Sequence, residues 1–517
     1  MKKVLIGTDI ILYANSSKEE LGVTEYLLEW MARIKEKPCV DISTRIILSN
    51  FLSDVPPLLS RIPVLTEAVR KSHQIKTIER IIEAPVPTDI RSDSVPIWKQ
   101  SLAHLALLQE NKVDIYITDS PLMHSIARRI DLDHRVFSVE SYLDHCSIAF
   151  RDKDPNKGLV IKYDRFGKLN INDEFFNSFK RDYTNYSEWF HRKQNDRVFY
   201  SHNAKGEIQA LLKLKIEESF DEFDDIVPTM TDNRCLKISS FKVNVRGSRL
   251  SERFMRIIFK TAIREKVDSI YVTVFNNEKK KRRLIDLLHA WGFHDYGNKL
   301  GSEEMVLKRS FHKEVGRVNS MTSTLYERVF VKDYYPFHSP ASGIYLVPLR
   351  EAFLDLLLGE EEIKVDRLDI LPYKNSISKV IAIRNIKGNL YPGAILLFYN
   401  MTHVKEDRGI VGVGILEGIR NHLKSEQQFV EICIKRCAFS ISHLRDCWKS
   451  MDDKDNIALI EFLFVDYLNG REYNEVRLNN CGIDTVGMHS QNIYPITLQS
   501  FKKLFKDSDY ERDYIAY

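Results

Sequence analysis

The chemistry is most legible between residues 235 and 251. Leu236-Lys237-Ile238-Ser239-Ser240-Phe241-Lys242-Val243 reads as a strand, and a helix begins soon after it. Between them lies Asn244-Val245-Arg246-Gly247-Ser248-Arg249-Leu250-Ser251, a turn with small residues at Gly247, Ser248 and Ser251 and a cation at Arg246. A strand–turn–helix of this kind aims several backbone N–H groups and the positive end of the helix dipole at one spot, a ready site for a pyrophosphate. A second chemical signal is Asp9, at the end of the apolar run Val4-Leu5-Ile6, with Asp119 after Ile115-Tyr116-Ile117-Thr118. The bland reading of a lone Asp there is a strand-end or helix-capping residue.

Three sets of elements must position these residues. Residues 1–150 alternate strands (3–7, 114–118, 136–139) with amphipathic helices (24–35, 95–111, 121–130), which predicts a parallel α/β sheet. Arg151–Lys157 is polar and contains Pro155, a linker composition. Residues 155–312 read in the order strand (197–202), strand (207–217), acidic loop (217–225), strand (235–243), turn, helix (252–266), strand (268–275), helix (279–291), a mixed sheet. Residues 325–517 are richer in strands, expected at 343–347, 379–384, 394–399, 409–419, 428–434 and 461–466, with helices at 349–358, 443–449 and 498–506. That is an α+β or small-barrel pattern.

The bulk numbers set limits. A chain of 517 residues, 44% hydrophobic and 29% charged, is that of a folded, soluble, multidomain protein. The net charge of +4 does not demand nucleic acid, although Lys279-Lys280-Lys281-Arg282-Arg283 forms a dense basic run. No apolar run reaches the roughly 18–20 residues that cross a bilayer, so no membrane partner is expected. The start resembles the front of a signal peptide, but Asp9 interrupts it and it reads better as a first strand. Seven scattered cysteines predict reduced thiols and a cytoplasmic setting. Cys433 and Cys437 are expected as core thiols rather than metal ligands.

At Lys237–Ser251 the central segment resembles the GNAT acetyltransferase family. Arg246 takes the first place of its phosphate loop, Arg249 and Ser251 stand where glycines are usual, and Leu284–Phe293 is similar to the helix that ends in the family's Gly-Phe. The resemblance implies a mixed sheet with a V-shaped cleft for acetyl-CoA. Phe241, Lys242, Val243, Arg246, Gly247, Ser248, Arg249, Leu250 and Ser251 would bind it, with Asn276 near the pantetheine arm. Leu288 stands where the family often has its Tyr acid, which leaves Tyr296 and His289 as candidate acids and Glu207 as candidate base.

Residues 1–150 resemble a PIN-like nuclease domain, with Asp9 and Asp119 as the candidate metal ligands. No acid stands near Ser101–His104 and no Glu matches near Ile46–Leu52, so the domain is expected to be degenerate, kept as a scaffold or as an RNA or partner platform. Mg²⁺ or Mn²⁺ enters only if that site is active. Residues 325–517 resemble PUA-like β-barrels of the ASCH or EVE type through Tyr391–Tyr399, Gly409–Glu417 and Asn492–Leu498. Arg384 and Lys374 would contact phosphate there, and Tyr373 or Tyr399 would stack on a base, while Phe398 is expected in the core. Together the resemblances imply an N-acetyltransferase whose acceptor amine is carried by RNA, aminoacyl-tRNA foremost, as in toxin-type enzymes, with an antitoxin among the possible protein partners. The alternatives are a protein lysine or N-terminal acetyltransferase, a metal-dependent ribonuclease, and an RNA-binding regulator that senses acetyl-CoA.

Overall fold

The computed structural model describes residues 2–14, 27–28, 31–32, 34–42, 44, 62–65, 95–139, 141–143, 146, 161–203, 205–218, 223, 225–244, 249–275, 279–313, 331–350, 354, 357–358, 376–383, 385–386, 390–402, 408–421, 423, 425–434, 436, 444–445, 448–449, 457–490 and 492–517. The chain forms two units, Met1–Asp152 with Gln427–Lys435, and Lys153–Glu426 with Arg436–Tyr517.

The first unit is built on β1 (Lys3–Ile6), α1 (Thr8–Ala14), β2 (Lys37–Asp41), β3 (Val64–Leu65), α2 (Val95–Gln109), β4 (Ile115–Ile117), α3 (Pro121–Arg129) and β5 (Val136–Phe137). The sheet is all parallel, in the order β3-β2-β1-β4-β5. Val4 and Ile6 enter one apolar cluster and Leu5 the other, so both faces of β1 are covered. That is why the run Val4-Leu5-Ile6 is apolar throughout instead of alternating. Ser120 caps α3 through Met123 N–H, with Pro121 opening the helix.

In the second unit, β6 (Ile161–Arg165), α4 (Asn177–Asp182), α5 (Tyr186–Arg192), β7 (Arg197–His202), β8 (Ile208–Glu217), β9 (Ile226–Val227), β10 (Cys235–Val243), α6 (Leu250–Glu265), β11 (Ser269–Phe275), α7 (Lys279–Ala290), β12 (His294–Lys299) and β13 (Glu304–Ser310) come first. Their eight-stranded sheet has the order β6-β7-β8-β10-β11-β13-β12-β9. All its pairs are antiparallel except β10–β11. Helix α6 buries Phe254, Met255, Ile258 and Phe259 against one face. The aromatic residues of α4 and α5 cluster with Tyr200 and Leu211 of β7 and β8.

The chain continues through β14 (Ile344–Leu349), β15 (Ser378–Ile383), β16 (Asn385–Ile386), β17 (Ile395–Asn400), β18 (Gly409–Arg420), α8 (Glu426–Ile434), β19 (Ala458–Tyr467), α9 (Glu475–Asn480), β20 (Asn492–Pro495), α10 (Leu498–Phe505) and α11 (Asp509–Tyr514). The seven strands order as β15-β19-β18-β17-β14-β20-β16. The edge strands β15 and β16 are one residue apart in the chain, so the sheet curls into a half-barrel. This sheet and the preceding one share a hydrophobic cluster whose members run from Ile161 to Ile515, beside clusters that belong to each sheet alone. Tyr335 joins them, with its ring 5.5 Å from Phe259 and its hydroxyl donating to the Phe464 carbonyl of β19 at 2.7 Å.

Two sequence expectations are corrected. Residues 428–434 are not a strand but lie in α8, because Phe429, Ile432 and Cys433 bury at the i, i+3, i+4 spacing of a helix face. Tyr399 is also corrected: it is a core residue, 2% exposed, and offers no surface on which a base could stack. Phe398 is buried as expected. Arg384, Lys374 and Tyr373 lie outside the described residues, as do Cys437 and the side chains of Lys279–Arg283. No described helix is long and apolar enough to cross a membrane.

Candidate active site

The site begins with a strand pair that comes apart. β10 and β11 run parallel and pair only at Cys235–Ser269, Leu236–Ile270 and Lys237–Tyr271. Both continue, β10 to Val243 and β11 to Phe275, with no further pairing to each other. The cause is visible in β10. Its register against β8 shifts between Ile238 and Ser240, a bulge that bends the strand and raises its twist. Before the bulge Leu236 and Ile238 enter the core beneath α6; after it Phe241 and Val243 do, Phe241 edge-on to Phe254 at 5.6 Å. The two strands therefore splay beyond Lys237 and Tyr271.

The divergence leaves backbone groups of Ile238–Val243 facing β11 without a ladder partner. Buried backbone amides are almost always paired, so such a slot calls for water or for an extended ligand with amide groups of its own. The pantetheine arm of coenzyme A, which carries two amides, has that chemistry.

Of the expected cofactor residues, Phe241 and Val243 turn their backbone groups toward the slot, while alternation turns those of Lys242 to β8. The Lys242 ammonium points elsewhere, to Ser178 Oγ at 2.8 Å and to the Phe175 carbonyl, over the Phe175 ring at 4.5 Å. Burial lowers its pKa to about 8. Leu250 is fully buried and offers only its backbone at the first turn of α6, where Ser251 is half-buried. Arg246, Gly247, Ser248 and Asn276 lie outside the described residues. Arg249 reaches two side chains. Its Nη1 donates to Glu252 Oε1 at 3.0 Å and to Ser376 Oγ at 2.9 Å.

The other face of the splayed pair is polar. Alternation on β11 puts Tyr271, Thr273 and Phe275 on the side away from α6. Two buried carboxylates meet them there. Glu217 accepts from the Tyr271 hydroxyl and from Lys215 Nζ at 2.8 Å, with Lys237 Nζ 3.5 Å away. Burial works against its charge, but the Lys215 bond, Lys237 and Tyr271 outweigh it and hold the carboxyl below its ordinary range. Glu304 Oε1 accepts from Tyr183 Oη at 2.6 Å and from Thr273 Oγ1 at 3.1 Å. Tyr183 sits between α4 and α5, partly exposed, its ring 5.4 Å from Phe275 at the open end of β11. Burial first, then the Glu304 bond, push the Tyr183 hydroxyl well above the usual tyrosine range, so it stays protonated.

The candidate acid–base residues named from sequence do not converge. Tyr296 donates to the Thr229 carbonyl at 3.0 Å, with Lys308 over its ring. His289 pairs with Asp295 at 2.9 Å near the end of α7, both well exposed. Glu207 takes Asn203 Nδ2 at 2.7 Å in the β7–β8 hairpin turn. None of the three bonds to another. The groups that do meet beside the cleft are Tyr183, Thr273 and Glu304. The signal that could have found them is the i, i+2 alternation of Tyr271, Thr273 and Phe275.

No family model matches this chain, and no curated protein matches it. Solved structures do resemble part of it. The likeness is to acetyltransferases. One is a chain of the NatC complex bound to Gag peptide and CoA, 15% identical, covering 29% of this chain and 96% of that one at a TM-score of 0.20. A second is a putative acetyltransferase from Salmonella typhimurium with its cofactor acetyl-CoA, 15% identical over 31% of this chain and 97% of that one, TM-score 0.22. A third is the ribosomal-protein-alanine N-acetyltransferase of Brucella melitensis, 14% identical over 29% of this chain and 99% of that one, TM-score 0.22. Likeness at this level carries no weight for activity or substrate, which rest on the geometry above.

In the first unit, Asp9 and Asp119 do come together where β1 and β4 end. Asp9 Oδ2 accepts from Asp119 N–H at 2.8 Å and from Thr118 Oγ1 at 3.0 Å, while Oδ1 is buried with no hydrogen-bond partner. Burial, then the charge of Asp119, raise the Asp9 pKa to about 6. Asp119 Oδ1 turns to Val139 N–H at 2.9 Å. Sequence reading missed the buried pair behind them: Asp41 at the end of β2, 4.0 Å from His104, whose pKa burial lowers to about 4. A divalent ion needs three or four convergent ligands. Among the described residues the one group of three lies elsewhere, at Asp131, Asp133 and His134 on the turn after α3. Among the described residues no third ligand group joins Asp9 and Asp119.

Proposed function

We propose that the second unit is an acetyl-CoA-dependent N-acetyltransferase. The observation that carries this reading is the slot between β10 and β11, whose unpaired backbone groups suit a pantetheine chain running beside β10. An acyl thioester held there lies beside the bulge, where backbone N–H groups would polarise its carbonyl. The acceptor amine, arriving from the polar face, attacks the carbonyl carbon, and the C–S bond breaks to release the thiolate. The attacking nitrogen must lose a proton. Tyr183 is the proposed relay: its hydroxyl oxygen takes the proton while its own passes to Glu304. The thiolate is protonated by solvent.

The finer proposal is that the amine is borne by RNA, aminoacyl-tRNA foremost. It rests on analogy of the flanking segments to PIN-like and PUA-like folds, and such analogy is associational. On this proposal the first unit is a platform rather than a nuclease. The test is incubation of the full chain with labelled acetyl-CoA and, in parallel, charged tRNA, uncharged tRNA and amine-bearing peptides. Label in charged tRNA alone supports the finer reading, and label in peptide replaces it with a protein acceptor. No transfer to any amine overturns the acetyltransferase reading.

A further inference from the structure

We infer that Arg249, Glu252 and Ser376 form a staple by which the C-terminal half-barrel holds the cofactor helix α6 in its binding position. The inference rests on the acetyltransferase reading above.

Arg249 stands at the N-cap of α6 with φ of 50° and ψ of 24°, a left-handed conformation that is unfavourable for a residue with a Cβ. Its side chain makes no capping bond to the helix backbone. Strain of this kind persists where surrounding contacts over-determine it, and the contacts here are specific. Arg249 Nη1 reaches both Glu252 Oε1 and Ser376 Oγ. Glu252 Oε2 in turn accepts from Ser376 Oγ at 3.0 Å and from Ile377 N–H at 2.9 Å, and Ser376 Oγ lies 2.6 Å from the Ser378 carbonyl. The first turn of the helix is thereby tied to the entry of β15. The tie is well shielded, since Arg249 is 9% exposed and Ile377 fully buried, so its charge-assisted bonds are worth more than surface pairs.

The staple is the first of three contacts along one helix face. Arg256 lies over the rings of Phe464 and Tyr467, at 4.7 and 5.1 Å, and Lys260 pairs with Asp466 at 2.8 Å. Residues 249, 252, 256 and 260 recur at helical spacing, so one stripe of α6 rests on β15 and β19 over about three turns. A residue that would be small if its only task were to admit phosphate is here a large cation because it reaches across to a second sheet. Arg249 is thus a positioning residue, acting on the cofactor through the helix.

The test is a double-mutant cycle on the full chain with Arg249→Gln and Ser376→Ala. Binding of acetyl-CoA and of acetyl-pantetheine, which lacks the phosphates, is measured for each variant. Each single change should weaken acetyl-CoA by roughly tenfold, the worth of one charged hydrogen bond. The double change should weaken it no more than either alone, and acetyl-pantetheine should be unaffected. Loss with Arg249→Gln but not with Ser376→Ala would mean direct phosphate contact and overturn the inference. Equal loss of both ligands, or no loss at all, would overturn it as well. A wild-type chain that binds no acetyl-CoA would instead remove the cofactor reading on which the inference stands.

Discussion

His338 should make the second unit lose stability steeply in mild acid. The imidazole is 2% exposed. Its Nδ1 lies 3.0 Å from the Pro336 carbonyl and its Nε2 3.2 Å from the Tyr510 hydroxyl. Those partners assign the neutral tautomer that donates from Nδ1 and accepts at Nε2. Burial lowers its pKa from 6.5 to about 4, against a smaller upward pull from the Pro336 bond. Below pH 6.5 the unfolded chain takes up a proton that the folded chain refuses. The stability is therefore fully present above pH 6.5 and is lost as pH falls toward 4, at about 1.4 kcal/mol per pH unit. Over that window the loss sums to about 3 kcal/mol. His338→Gln keeps a donor for Pro336 and removes the titration. Urea unfolding of both proteins at half-unit steps from pH 7 to 4, followed by tryptophan fluorescence, gives the difference directly. The stability advantage of wild type over the variant should shrink by about 3 kcal/mol across the window. Parallel profiles would show that the imidazole is protonated in the folded state and would refute the reasoning.

Asp9 should behave with the opposite sign. Its folded pKa, about 6, lies above the ordinary 3.8, so its contribution is present in acid and lost as pH rises from 4 to 6. Asp9→Asn should therefore stabilise the first unit at pH 7 relative to pH 4, by on the order of 2 kcal/mol in urea titrations. Arg309 donates to the carbonyls of Trp291 at 2.7 Å, Asp333 at 2.8 Å and Tyr335. Arg309→Met would strand all three and should cost about 3 kcal/mol or more in thermal unfolding. Tyr183→Phe should lower the transfer rate at least tenfold while acetyl-CoA affinity holds, measured as turnover beside calorimetric binding.

Much of the scaffold was legible because its periods are clean. The alternation of Cys235–Val243 and the apolar run at Val4–Ile6 gave strands that the structure places within a residue or two. The 428–434 segment misled because its short apolar run fits either period, and only the burial of Phe429, Ile432 and Cys433 decides for the helix. The bulge was the larger gap. Nothing in Ile238-Ser239-Ser240 announces a register shift, yet that shift opens the slot and turns Lys242 away from it. The acid–base candidates were sought near the motif along the chain, whereas Tyr183 and Glu304 come from segments 121 residues apart that only the sheet brings together. The bond of Arg249 to Ser376, 127 residues away, is invisible from the turn.

The central claim is that an amide-bearing acyl chain completes the open side of β10. Backbone hydrogen exchange of Ile238–Val243 tests it most directly, measured with no ligand, with acetyl-CoA, and with adenosine 3′,5′-bisphosphate, which lacks the pantetheine arm. The account predicts that acetyl-CoA slows exchange across this stretch and that the nucleotide alone does not. Binding of acetyl-CoA that leaves these amides exchanging at their unliganded rate would contradict it.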